Sequence, residues 1–473
     1  MGYSSHYRIL RIHRSIVLIL FSTFFIVAIS ADAKPLYQET RIEAGIEGHF
    51  LTMNPASLLN PDFDFFDQAS RRHLFLQMSN RMSMHQKVST VIILFAEDVG
   101  DNRRQFNLSR SDKDYINFIL KEAFVSFMVN EALFLDVGKI DIKSGVTFFR
   151  NPAQLISNPL HLARKGRISN SASAQSDPYR EGSLMFKTEY YTSSGTFTAA
   201  FIPRIISPSE KAEITEQNVL ERVNSKNMGL LKWRLMSTGN FNPELVLLIG
   251  NRVGASGALS VEKGSVIFNL EGSLANHSPV CITSEEAQNK IRTFSFPLPP
   301  VENFFIQRDC QVFYMEAMAG FNYRNFKRKY NIIAEYYYNQ AGFSRSEWEE
   351  YFSFLNLLND YSNRISPLYK NGIGIFAEES RRLACENVLS GRHYLCTRQE
   401  MDDLFLKDVS VCLNYMISLS DFSGLVDVHA EYRLSGRGWK ILAGYWTTTG
   451  GRETEFGVQM VKNGIYMGVT YLW

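Results

Sequence analysis

The chain has 473 residues, a formal net charge of +2 and 13% aromatic residues, with 35 Phe and 22 Tyr against 14 Pro. A charge this close to zero argues against a nucleic-acid partner. Beyond an apolar N-terminal run, no stretch of about 18 apolar residues occurs, which excludes helical membrane spans. An aromatic-rich chain of this kind fits a soluble β-protein or a transmembrane β-barrel.

The N-terminus points to export. Arg8, Arg11 and Arg14 form a positive region, Ser15 to Ser30 is an apolar core, and Ala31-Asp32-Ala33 supplies an A-x-A cleavage site. Residues 1–33 are therefore expected to be a signal peptide, and residues 34–473 the mature protein. An uncleaved anchor is the competing reading, because the apolar run is nearly long enough to span a bilayer as a helix.

From there the recurring unit is a segment of about ten residues alternating apolar with polar or small, the period of a strand with two unlike faces. The first runs over 41–53, with Ile42, Ala44, Ile46 and Phe50 opposite Arg41, Glu43, Glu47 and His49. The next, 73–84, sets Leu74, Leu76, Met78 and Met82 against Gln77, Ser79 and Arg81. Similar segments follow near 87–98, 115–130, 131–144, 182–191, 195–205, 228–238, 243–252, 255–262, 265–275, 311–323, 329–340, 404–418, 424–433, 437–447, 453–461 and 464–473. The last places Ile465, Met467, Val469, Tyr471 and Trp473 on one face, ending on the aromatic. The expectation is an all-β fold: an antiparallel transmembrane barrel of about 18 strands, an even number as single-chain barrels require.

The connections sort by parity. One set is short, at 85–86, 193–195, 238–242, 262–264, 325–328 and 421–423; the other is mostly long, at 54–72, 99–114, 145–181, 206–227, 276–310 and 341–403. Short periplasmic turns against long outer loops is the asymmetry of an outer-membrane barrel. The loop from Thr147 to Glu181 carries Arg150, Arg164, Lys165 and Arg167. It is either a constriction folded into the lumen or a solvated surface loop. Within 341–403, Ser344 and Glu347 form a capping box, and Trp348, Tyr351, Phe352 and Leu355 follow helical spacing. A helix over 344–360 capping the barrel mouth is expected there.

Five cysteines stand at 281, 310, 385, 396 and 412. An exported chain can keep disulfides. Pairing within single outer loops predicts Cys281–Cys310 and Cys385–Cys396, leaving Cys412 free on a lumen face.

No catalytic signature occurs: there is no G-x-S-x-G, P-loop, H-E-x-x-H or C-x-x-C. Asp427, His429 and Glu431 share one strand face and could be read as an acid/base set, but i, i+2, i+4 spacing places any three residues together. No catalytic residue, metal site or cofactor is expected. Alternation instead directs Glu43, Glu47, Glu122, Glu189, Glu244, Glu271, Glu316, Glu335, Asp427, Glu431 and Glu455 inward, with Arg41, Arg81, Lys187, Lys232, Arg234, Arg433 and Lys440. A basic residue facing the bilayer midplane costs roughly 2–4 kcal/mol, so energetics forces these side chains into the lumen. The lumen is then wet, of mixed sign and modestly acidic.

Leu133-Phe-Leu-Asp-Val-Gly-Lys139, Phe149-Arg-Asn-Pro152, Arg180-Glu-Gly182 and Glu335-Tyr-Tyr-Tyr-Asn-Gln-Ala-Gly342 resemble segments of porin-like barrels related to the alginate exporter. The resemblance implies an 18-stranded outer-membrane barrel. An exporter of an acidic polymer has a strongly basic lumen, which this chain lacks. The expected function is passive passage of small hydrophilic solutes, with polysaccharide export and a barrel-borne hydrolase as alternatives. The expected partners are outer-membrane lipid and the barrel-assembly machinery, which would capture the terminal strand at Trp473.

Overall fold

The computed structural model describes residues 37–59, 68–101, 114–156, 181–205, 223–224, 226–236, 240–276, 280–293, 305–307, 312–364, 372–376, 389–404, 406–434, 438–459 and 461–473. Residues 1–33 and the cleavage site lie outside them.

Eighteen strands form one sheet. They are β1 (Tyr37–Met53), β2 (Gln68–His85), β3 (Val88–Asp101), β4 (Asp114–Asn130), β5 (Leu133–Ile140), β6 (Ser183–Thr192), β7 (Gly195–Ile202), β8 (Met228–Leu235), β9 (Phe241–Gly250), β10 (Gly254–Lys263) and β11 (Val266–Ala275). After a two-stranded ribbon of β12 (Cys281–Thr283) and β13 (Phe305–Gln307), the sheet resumes. It continues with β14 (Tyr314–Asn325), β15 (Tyr330–Asn339), β16 (His393–Asp402), β17 (Val409–Ser418), β18 (Gly424–Leu434), β19 (Trp439–Thr449) and β20 (Val461–Leu472). Each strand pairs antiparallel with its neighbours, and β20 returns to β1 with Val469 opposite Ile46. That pairing closes the barrel and leaves no sheet edge, the condition for strands to cross a bilayer.

The faces follow the alternation. Phe50, Ile249, Phe201 and Met467 are more than half exposed on the outer wall, while Glu47, Glu244, Glu271 and Asp427 are buried on the inner one. At the end where β1 begins and β20 ends, Trp439, Tyr471 and Trp473 pack in tilted and edge-to-face contacts, with ring centroids 4.6 and 4.1 Å apart. Aromatic residues there suit the membrane–water interface.

Two strand assignments differ from expectation and cancel in the count. Residues 453–459 form a turn rather than a strand, so Glu455 is not on the wall. In turn, β16 lies inside the stretch expected to be the loop 341–403. Its outward face interrupts Leu395 and Met401 with Thr397 and Gln399, so the apolar set that marks a lipid-facing strand is broken. The expected strand 404–418 begins only at Val409. As a result the short turn at 421–423 falls on the outer side, with the long loops.

The outer side is itself packed. Helix α1 (Glu285–Arg292) and helix α2 (Arg345–Arg364) sit among the loops. The expected capping box forms: Ser344 N donates to Glu347 Oε2 at 2.7 Å, and Glu347 N donates to Ser344 Oγ at 3.3 Å. Trp348, Tyr351, Phe352, Leu355 and Leu358 of α2 are buried against Leu58 and Leu59, Val280 and Ala287, Phe376 and Val458. Four outer connections thus share one apolar core, a cap that no single loop could build alone.

Leu355 is fully buried at the centre of that cap. Leu355→Ala is expected to cost the cap about 2–5 kcal/mol. Limited proteolysis should then cut the outer loops faster while the barrel fragment persists; cleavage at the wild-type rate would contradict a shared core.

Candidate functional site: the lumen and its strap

The loop after β5 does fold inward over its described part, residues 141–156, forming a strap along the inner wall. Its shape is set locally. Gly145 has φ +87°, and the Asn151 carboxamide occupies the space a Cβ would need. Asn151 Nδ2 donates to Ser144 O, Thr147 Oγ1 donates to Arg150 O at 2.6 Å, and Ser144 N donates to Gln154 Oε1 at 2.8 Å.

The strap has no ladder partner, so its backbone N–H groups need acceptors elsewhere. Wall carboxylates supply them. Gly145 N donates to Glu244 Oε1 at 3.0 Å on β9. Val146 N and Thr147 N (2.6 Å) donate to Glu271 Oε1 on β11, and Ala153 N donates to its Oε2 at 3.2 Å. Phe148 N and Phe149 N donate to the two oxygens of Glu335 on β15, at 2.8 and 2.9 Å. Lys232 on β8 donates to Lys143 O at 2.6 Å, and Ser256 on β10 to Ala153 O at 2.9 Å. Arg150 lies 3.7 Å from Glu316 on β14, and the Arg398 guanidinium on β16 sits 5.2 Å from the Phe148 ring centroid. The strap therefore spans the wall from β8 to β16.

Glycine makes the docking surface flat. Gly320 on β14 pairs with Glu335, and a Cβ at 320 would fall 2.5 Å from Glu335 Cγ. Without it the carboxylate could not lie along the wall to meet the strap.

The other inward charges are largely paired with one another. Lys187 bridges Asp136 at 2.8 Å and Glu189 at 3.1 Å. Glu244 also takes Lys232 at 3.0 Å and Arg234 at 2.6 Å. Glu431 takes Arg433 at 3.0 Å and Lys440 at 3.2 Å. Asp427 accepts from Tyr466 Oη at 2.7 Å and lies 3.6 Å from His429, while Glu47 lies 3.4 Å from His49. Asp427 and His429 thus face each other beside Tyr466, while Glu431 belongs to a separate cluster with Arg433 and Lys440. Arg41, Glu43 and Arg81 occupy β1 and β2, and Glu122 occupies β4, near Asp141 and Lys143.

Sequence reasoning missed the charged positions on β16, where Arg398 bonds Glu400 at 3.3 Å and Asn414 at 3.3 Å. It also missed Asp136 and the buried Lys139–Glu181 pair, 2.8 Å. Both Lys139 and Glu181 belong to the short motifs singled out above, which here turn out to flank and anchor the strap. Of the basic residues expected at the constriction, Arg150 is on the strap; Arg164, Lys165 and Arg167 lie outside the described residues. Among the described residues no group of three or more His, Cys, Asp or Glu is arranged to hold a metal ion.

The cysteine expectation needs correction. Cys396 and Cys412 are both free and buried, and both point inward from strands β16 and β17. Cys396 is a wall residue rather than a loop residue, so the pairing with Cys385 loses its basis. Cys310 and Cys385 lie outside the described residues.

No protein-family model matches the chain, and no curated protein matches it by sequence. Solved structures do match in fold. OccK2 (OpdF) of Pseudomonas aeruginosa superposes with a TM-score of 0.50 at 9% identity, covering 92% of this chain and 97% of its own. OccK7 (OpdD) of the same organism gives 0.49 at 9% identity, covering 93% and 99%. OccAB1 of Acinetobacter baumannii gives 0.48 at 9% identity, covering 94% and 99%. The likeness to OccK2 (OpdF) supports the fold, a closed antiparallel β-barrel of 18 strands. The alginate-exporter relation gains no support from these structures.

Two outcomes follow. In hydrogen exchange, the amides of Gly145 to Phe149 should be protected, and Glu271→Gln with Glu335→Gln should speed their exchange. Each orphaned donor costs about 1–3 kcal/mol, so the acceleration should be about ten- to a hundredfold; unchanged protection would mean the carboxylates do not hold the strap. Mass-mapped peptides from unreduced protein should show Cys396 and Cys412 as free thiols, and a Cys385–Cys396 link would contradict the wall position.

Proposed function

We propose that the chain is an outer-membrane channel for passive passage of small hydrophilic solutes. One observation carries the reading: inside a closed barrel, an inward segment is pinned to the wall by buried carboxylates, which narrows the lumen at a defined place. The apolar exterior and the terminal aromatic cluster support residence in the outer membrane, and Trp473 at the end of β20 suits capture by the assembly machinery. The inward charges Arg41, Glu43, Glu47, Arg81, Lys187, Glu189, Lys232, Arg234, Asp427, His429, Glu431, Arg433 and Lys440 are then the pore lining.

A strap that thickens the inner wall and narrows the lumen favours small solutes over a polymer, which sets polysaccharide export second. Ion selectivity follows from what the strap consumes. Glu244, Glu271 and Glu335 are screened by backbone dipoles and Glu316 by Arg150, so the acidic excess exposed to ions is small. The pore is weakly cation-preferring or nearly unselective.

Planar bilayers provide the test. Stepwise currents are expected, with a reversal potential close to zero or slightly cation-selective across a salt gradient. Absence of conductance together with a hydrolytic signal would favour a barrel enzyme instead. Strong anion selectivity that disappears when Arg164, Lys165 and Arg167 are changed to Gln would show that the basic stretch governs the pore, against the balance proposed here.

A further inference from the structure

The turn joining β19 to β20 is stitched to every neighbouring outer connection. Asn54 Nδ2 donates to Gly457 O at 2.8 Å, and Ser57 Oγ donates to Val458 O at 2.5 Å. Phe456 N donates to Ser423 Oγ at 3.1 Å, and Asn356 of α2 donates to Glu453 at 3.0 Å. At its centre is Glu455, a buried carboxyl that makes no ion pair with a cation among the described residues. Tyr394 Oη, from the outer end of β16, donates to both Glu455 oxygens at 2.6 Å, and Ser390 N donates at 3.0 Å.

This contact lies on the same pair of rings that receives the strap. Tyr394 and Tyr337 have centroids 6.1 Å apart. Phe149 of the strap is buried with both, and Phe456, next to Glu455, packs on the same cluster 6.5 Å from Tyr394. Tyr337 Oη continues to Glu316 Oε2 at 2.8 Å, and Glu316 meets Arg150 of the strap. The outer turn and the constriction thus share one supporting wall.

We propose that Glu455 on Tyr394 is a proton-sensitive latch, closed when Glu455 is protonated, that ties the outer cap and, through the Tyr394–Tyr337 pair, the strap to the barrel wall. The charged and titratable groups facing it come from each packed element. Tyr394 faces it from β16. Asp421 faces it from the β17–β18 turn, where its Oδ2 accepts from Glu455 N at 2.7 Å. On the turn itself Arg452 and Glu453 lie 3.7 Å from each other. Nearby Arg392 is turned away, donating to Gly342 O at 3.0 Å and lying 3.5 Å from Glu347.

Burial pushes the Glu455 carboxyl up from the ordinary 4.5 to about 7; the hydrogen bond from Tyr394 works against burial, and the negative charge of Asp421 adds to it. The folded latch holds the proton more tightly than an open one. Its contribution is complete below about pH 4.5 and is lost as the pH rises through about 7.

The coupling to the strap rests on the channel reading, whereas the latch does not, so two readouts separate them. In detergent, proteolysis of the outer loops of the full-length protein should rise severalfold between about pH 5 and pH 9. In planar bilayers, open-channel closures should rise over the same range. Glu455→Gln should hold the low-pH behaviour throughout. Tyr394→Phe removes the donor and should move the midpoint up; Asp421→Asn removes the like charge and should move it down. A flat wild-type proteolysis profile, a pH response that survives in Glu455→Gln, or midpoints that do not separate in the last two variants overturns the latch. A pH-dependent proteolysis profile with steady open-channel current leaves the latch standing and overturns its coupling to the strap.

Discussion

A charged side chain inside a membrane barrel needs a partner, and a backbone segment that leaves the sheet needs acceptors. In this chain the two requirements meet in one place. Glu244, Glu271 and Glu335 present buried carboxylates from the wall, and residues 145–153 present N–H groups with no ladder to join. Each set would be costly alone, since an unmet buried polar group forfeits its hydration without compensation. Together they define where the loop lies along the inner wall.

The same logic separates the two ends of the barrel. At the end where β1 begins and β20 ends, the turns are short and the aromatic residues Trp439, Tyr471 and Trp473 suffice to meet the interface. On the outer side, several connections are too long to be satisfied by a turn, and they bury apolar residues of α2 against one another. The cap and the strap then converge on Tyr337 and Tyr394, which is why a buried carboxyl in an outer turn stands only one ring away from the strap.

Much of this was legible in the residue pattern. Alternation assigned Glu47, Lys187, Glu271, Glu335 and Asp427 to the inner wall, because the bilayer leaves a charged strand residue no other face. The helix over 345–364 was announced by its capping box and by Trp348, Tyr351, Phe352 and Leu355. Where polar residues break the outward face, as at Thr397 and Gln399, the alternation loses its contrast and the β16 segment reads as loop. Where a turn happened to alternate, as at 453–459, a strand was expected that side-chain hydrogen bonds to Ser423 and from Asn54 prevent.

By itself, the sequence determined a β-barrel with an apolar outer face, a charged lumen and loops sorted by side, since each follows from a period of two read against the energetics of a bilayer. It could not decide which loop enters the pore, because the strap is held by contacts such as Phe149 with Glu335, 186 residues apart. Nor could it tell that inward acids would be screened by backbone dipoles rather than left facing ions, or that Cys396 would be a wall thiol. Those depend on which strands become neighbours once the barrel closes. Register across the whole sheet is a tertiary property, and only it brings an acceptor on one strand to a donor on a distant loop.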